Sequence, residues 1–159
     1  MPAILLERVI SGGQTGADRA ALDAGLEAGF AVGGYCPAGR RAEDGPIPRR
    51  YPLRELAGGY PERTRKNVAV ADGTVIFFAT VIGGGTALTR DCCQELGKPH
   101  CLVDSDRVPM GEAVRCVRGF ISEHGIAVLN VAGPRASGCP SVYEYVKAVM
   151  TGVLADMAR

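Results

Sequence analysis

Arg8-Val9-Ile10-Ser11-Gly12-Gly13-Gln14-Thr15-Gly16, followed at once by Ala17-Asp18-Arg19-Ala20-Ala21-Leu22, reads as a short apolar strand, a glycine turn and the opening of a helix. The same order recurs at Val75-Ile76-Phe77-Phe78, then Gly83-Gly84-Gly85-Thr86, then Ala87-Leu88. A helix N-terminus carries unpaired backbone N–H groups and about half a positive charge, and glycine lets a ligand approach that backbone closely. Strands that alternate with helices form parallel sheets, whose turns at the carboxyl ends of the strands open on one shared edge. The two turns together predict an anion site made of main-chain donors at Gly12, Gly13, Gln14, Thr15 and Gly16 and at Gly83, Gly84, Gly85 and Thr86.

Outward from these turns, apolar runs and helical patterns continue to alternate. Strands are expected near residues 8–11, 30–33, 74–79, 100–103 and 127–131, and helices near 17–28, 61–71, 86–96, 109–124 and 141–157. Thr15 with Asp18, and Ser141 with Glu144, have the spacing of capping boxes, while Gly29 and Gly97 stand where helices end. The expectation is one α/β domain over residues 1–159: a mainly parallel sheet of about five or more strands with helices on both faces. Residues 34–60 hold no period of either kind, and a loop of that length inside a small domain is usually functional. Tyr35, Ile47, Tyr51 and Leu53 give it apolar anchors, so it is expected to fold, ordered, over the sheet edge.

Composition narrows the function classes. The chain of 159 residues has 47% hydrophobic residues in separate short runs, which suits one folded core rich in turns and not a disordered segment. Eighteen basic and 17 acidic residues leave a net charge of +1, so no global field draws nucleic acid or an anionic membrane. No run approaches the ~18 apolar residues of a membrane span, and Met1 to Arg8 lack the features of a secretory leader. Cys36, Cys92, Cys93, Cys101, Cys116 and Cys139 lack paired zinc spacing and fall mostly in apolar runs, as free thiols of a cytoplasmic protein would.

Several chemistries fail on spacing. A dinucleotide fingerprint needs G-x-G-x-x-G and an acid about 20 positions on, and a phosphate loop that hydrolyses nucleotides needs a Lys after its last Gly; neither is present. Cys92 and Cys93 lie about two turns into their helix, too far for its dipole to activate a thiol. Glu43 and Asp44 are expected to be solvated loop carboxylates, and Arg63, Lys66 and Asn67 a solvated helix face. Arg19 and Arg90 sit in first helical turns, where a cation opposes the macrodipole and asks for an anion, either a ligand or a neighbouring Asp18 or Asp91. A third strand end, Asn130-Val131-Ala132-Gly133-Pro134-Arg135, should open on the same edge, with Asn130, Gly133 and Arg135 able to reach a ring edge or a phosphate.

Taken together, Ile10-Ser11-Gly12-Gly13-Gln14-Thr15-Gly16-Ala17-Asp18, Gly33-Gly34-Tyr35-Cys36-Pro37-Ala38-Gly39-Arg40, Gly83-Gly84-Gly85-Thr86 and Asn130-Val131-Ala132-Gly133-Pro134-Arg135 resemble the molybdenum cofactor carrier protein family. The likeness runs from about residue 8 to residue 155. It implies a Rossmann-like fold, in a circularly permuted variant of the superfamily that includes the lysine-decarboxylase-like (LOG-type) phosphoribohydrolases. It also implies a homo-oligomer, dimer or tetramer, that holds molybdenum cofactor or a nucleotide-like phosphate-bearing molecule without transforming it, with no metal bound by the protein itself. The rival it raises is cleavage of a nucleoside monophosphate. Enzymes of that type resemble P-G-G-x-G-T-x-x-E, but here Gly85-Thr86-Ala87-Leu88 leads to Thr89 in place of the Glu, and the preceding residues, Ile82-Gly83-Gly84, come without the Pro.

Overall fold

The computed structural model describes residues 6–155 and Met157. Along the chain run β1 (Arg8–Ile10), α1 (Ala17–Glu27), β2 (Ala31–Gly33), β3 (Tyr35–Pro37), β4 (Arg41–Ala42), β5 (Gly45–Pro46), β6 (Arg54–Leu56) and α2 (Tyr60–Val70). There follow β7 (Gly73–Phe78), α3 (Gly84–Leu96), β8 (His100–Asp104), α4 (Met110–His124), β9 (Val128–Ala132) and α5 (Val142–Ala155). The apolar runs become one five-stranded sheet in the order β2-β1-β9-β7-β8, with every pairing parallel. This is the expected Rossmann-like α/β fold.

A strand covered on both faces must be apolar on both, and the two sides are built differently. Val9, Val75, Phe77, Leu129 and Val131 point to one side, where α1, α4 and α5 close the larger core with Ala20, Val117, Val146 and Leu154. On the other side Ile76 meets Val68, Cys92 and Cys93 under α2 and α3. That second face carries polar groups in its middle: Thr74 and Asn130 are register partners, and Asn130 Nδ2 donates to Thr74 Oγ1 at 3.3 Å.

Three local expectations change. Thr15 does not cap α1: the cap is Gly16, with no side-chain bond, because the Thr15 hydroxyl instead donates to Glu43 and accepts from the Ala136 amide. Ser141 lies beside α5 with its hydroxyl 3.8 Å from Cys139 Sγ, and only its carbonyl serves the helix, accepting from Tyr145 N–H. The helix expected to reach residue 157 ends at Ala155; Asp156 lies outside the described residues and Met157 is not helical.

The unpatterned stretch 34–60 is ordered by a device that periodicity cannot register. Short strands form there, β3 parallel to β6 and β4 antiparallel to β5, and Cys36, Ile47, Tyr51 and Leu53 bury themselves against Leu22 of α1. Arg40 acts as the strut. Its guanidinium donates to the carbonyls of Ile47, Pro48, Leu53 and Tyr51 at 2.8 to 3.3 Å, satisfying backbone groups that have no ladder. Among the described residues no helix is long and apolar enough to cross a membrane.

Candidate functional site

The ends of β1, β7 and β9 do open on one edge, and a cleft of about 480 Å³ lies there. Of the residues expected at the site, Gln14, Gly83, Gly84, Gly85, Thr86, Gly133 and Arg135 line it. Gly12 and Asn130, with Gly85 and Gly133 again, line a small polar void of about 20 Å³ in its floor. Thr15, Gly16 and Arg19 face a separate hollow beside Tyr51 and Tyr143. Gly13 lines none of the three, since its turn packs under Leu53 and Ile47.

The two glycine turns prove unequal. In the first, the amides are consumed by the protein: Gly13 N–H donates to Ser11 Oγ at 3.4 Å, Gln14 N–H to Asp18 Oδ2 at 3.3 Å and Thr15 N–H to Gln14 Oε1 at 3.0 Å. Arg19 is likewise neutralised, though not by Asp18; its guanidinium pairs with both oxygens of Asp44 and its Nε donates to Gly13 O. Arg90 does pair with Asp91.

The second turn is open. Gly83 is the cap of α3, Thr86 N–H and Ala87 N–H turn back to Gly83 O, and the amides of Gly83, Gly84 and Gly85 donate to no described protein group. With the helix dipole behind them these form a positive, donor-rich end facing the cleft. Thr86 sits in the first turn with its hydroxyl also unbonded.

Sequence reasoning missed Arg63. Expected on a solvated face, it belongs instead with Thr64, Asn67 and Val68 to the buried stripe of α2, at positions i, i+1, i+4 and i+5. Asn67 clamps the Tyr35 backbone, accepting from its N–H at 2.8 Å and donating to its carbonyl at 3.0 Å. The Arg63 guanidinium packs on Gly12, stacks 4.4 Å from the centre of the Tyr60 ring and lies 3.6 Å from Asp18 Oδ2. Its Nε is buried with no acceptor among the described residues. The signal in the sequence was the apolar Val68 with Thr64 one turn before it, which orients Arg63 inward.

Asp18, expected in a capping box or as a partner for Arg19, lines both the cleft and the void and is 7% exposed. Burial pushes its carboxyl up to about 6, against the opposing pull of Arg63 and of the Gln14 amide. Glu43 is not a free loop carboxylate either. It accepts from Thr15 Oγ1, Ser137 N–H and Ser137 Oγ, which hold it below the ordinary carboxylate range and tie the 34–60 segment to the chain after β9. Burial raises the thiols of Cys92 and Cys93, the reverse of what a nucleophile requires. Cys139 lines the cleft along with Gly83 and Leu88. Among the described residues no three His, Cys, Asp or Glu side chains gather as a metal-binding group.

The site is therefore a cleft with a helix N-terminus on one wall, a buried arginine and aspartate below and an exposed Arg135 at the rim. It can hold an oxyanion. Against this geometry, the sequence profile of the circularly permutated YpsA SLOG family matches residues 9–154. The crystal structure at 1.45 Å of a protein of Syntrophus aciditrophicus SB, named "Putative molybdenum carrier protein", resembles it with a TM-score of 0.92 and 40% identity, covering 94% of this chain and 96% of that one. No curated protein matches the chain.

Proposed function

Because the chain belongs to the circularly permutated YpsA SLOG family, we propose that its cleft holds a phosphate-bearing small molecule and returns it unchanged. The first candidate cargo is molybdenum cofactor, as the name of the Syntrophus protein suggests, and the second is a nucleotide-like molecule of similar shape. The observation that carries this reading is the open end of α3, whose Gly83, Gly84 and Gly85 amides point at a cleft large enough for a pterin or a nucleotide. Thr86 and Arg135 would add a hydroxyl and a rim charge, Gln14 and Gly133 would form the opposite wall, and the cargo would keep its metal on its own sulfurs.

A carrier is favoured over a hydrolase by Thr89. It stands where the LOG-type pattern has its acid, and its hydroxyl is spent on Gly85 O at 3.0 Å. One observation supports the rival: Asp18 places a carboxyl with a raised pKa on the cleft floor, within the range useful for proton transfer. Mass spectrometry of small molecules released from natively purified protein separates the two, together with incubation with AMP. A carrier yields an intact phosphate-bearing pterin or nucleotide and leaves AMP whole. Adenine and ribose 5-phosphate among the products would replace this reading with the hydrolase.

The same reading places the protein in the cytoplasm as a homo-oligomer, dimer or tetramer. Exposed Leu102 on the edge strand β8 and Met110 at the start of α4 support self-association, and light scattering of the purified protein tests it.

A further inference from the structure

Among the described ion pairs, Asp18 with Arg63 is the one in which both side chains are nearly buried, at 9% and 7% exposure. It is also incomplete. The Nη1 to Oδ2 separation of 3.6 Å exceeds the 2.7–2.9 Å or so of a charge-assisted hydrogen bond, and Arg63 Nε has no acceptor among the described residues. A buried guanidinium normally satisfies its donors, because each one left unpaired costs free energy. Arg63 lines the void together with Gly12, Tyr60, Gly85 and Thr89, and Gly85 belongs to the open first turn of α3. The helix end and the arginine thus converge on one place.

An oxyanion entering there meets α3 and Arg63 favourably and the Asp18 carboxylate unfavourably. Two anions would share one buried cation, and of the two the carboxylate is the one a proton neutralises easily, since burial already holds Asp18 near 6. The groups around it are few. Arg63 faces it from α2 and Arg19, already committed to Asp44, from α1; the Gly12 and Gln14 amides bond it, and Arg135 reaches the cleft from the segment after β9. His100 and His124 line neither cavity.

We propose that Asp18 is a resident counterion: a phosphate-class oxyanion entering the cleft takes Arg63 from it, and Asp18 binds one solvent proton as it yields. The inference rests on the phosphate-binding reading above. Binding is then coupled to pH. Affinity falls as pH rises above about 6, by up to about tenfold per unit, because each binding event must draw a proton from a scarcer supply.

The test is calorimetric titration with sulfate, a dianion throughout the range used, from about pH 6 to about pH 8 in buffers of differing ionisation enthalpy. AMP serves as a second probe. The expected result is uptake of close to one proton per sulfate near neutrality, with affinity weakening toward alkaline pH. In Asp18→Asn the uptake should vanish, the pH profile should flatten and sulfate should bind more tightly than to wild type at about pH 8. Wild-type protein that binds sulfate without taking up a proton overturns the proposal, as does Asp18→Asn with an unchanged proton count. Should the variant fail to fold, the wild-type proton count alone decides. Absence of any sulfate or AMP binding across the whole range would overturn the phosphate reading as well.

Discussion

A Cβ on Gly12 would collide with Nη1 of Arg63, so what this position admits to the turn is a guanidinium of the protein's own, where the sequence suggested a ligand phosphate. Gly12→Ala should therefore force Arg63 aside, cost about 1–3 kcal/mol of stability as overpacked sites do, and weaken sulfate binding. Urea unfolding and titration measure the two effects; an alanine accepted without either change would mean that Arg63 is not held there. Asp18 gives a second test. Its carboxyl is raised from 3.8 unfolded to about 6 folded, so the folded state binds more protons between those values and stability falls as pH rises through that window. The penalty is fully present above about 6 and amounts to something on the order of 3 kcal/mol. Wild type should thus lose stability relative to Asp18→Asn between about pH 4 and about pH 7, as followed by denaturant midpoints; parallel curves would remove the buried-carboxylate argument.

At the scale of an element, the first turn of α3 carries the conflict between stability and binding. Gly83 occupies the cap position in extended backbone with open space where a Cβ would sit, and no side chain caps the helix. Gly83→Asp should supply that cap, raising stability by a few tenths of a kcal/mol, while its carboxylate takes the amides that a ligand needs. A variant that is slightly more stable yet no longer binds sulfate or AMP is the expected outcome. Unimpaired binding would show that the anion sits elsewhere. The strap made by Glu43 is a separate matter: Glu43→Ala releases Thr15 and Ser137, so amide exchange at Ala136 and Ser137 should quicken while that in β9 does not.

The same elements explain what was legible. Strands and helices of the sheet declared themselves because β7 carries the apolar run Val75 to Phe78, β9 is apolar but for Asn130, and α3 begins at glycines. The open turn was readable for that reason. Its partner was not, because whether an amide is free depends on where Ser11 and the side chains of Gln14 and Asp18 turn, which no local pattern specifies. Arg63 escaped because charge in a helix is counted as solvated, whereas the polar void it lines with Asn67 and Asn130 gives it a buried place.

For the whole molecule, the sheet order sets where the cleft must be. β9 is central; from its flanking strands, β1 leads outward to β2 through α1, and β7 leads the opposite way to β8 through α3, with α1 and α3 on opposite faces. The connections diverge from β9 and leave a crevice, the switch point at which open α/β sheets take ligands. Arg63 and the first turn come from the part of the chain before residue 73, and α3 and the segment after β9 from the part that follows. A ligand in the crevice would touch both parts, so it should stabilise the whole fold and not one loop. At about a hundred times Kd the gain is about 2.7 kcal/mol, which for a domain of this size raises Tm by about 5–10 °C. AMP or the native cargo should produce such a shift in a single cooperative transition, sodium chloride at equal ionic strength should not, and Gly83→Asp should abolish it. A ligand-induced shift that survives in Gly83→Asp, or that splits the transition in two, would place the binding outside the crevice.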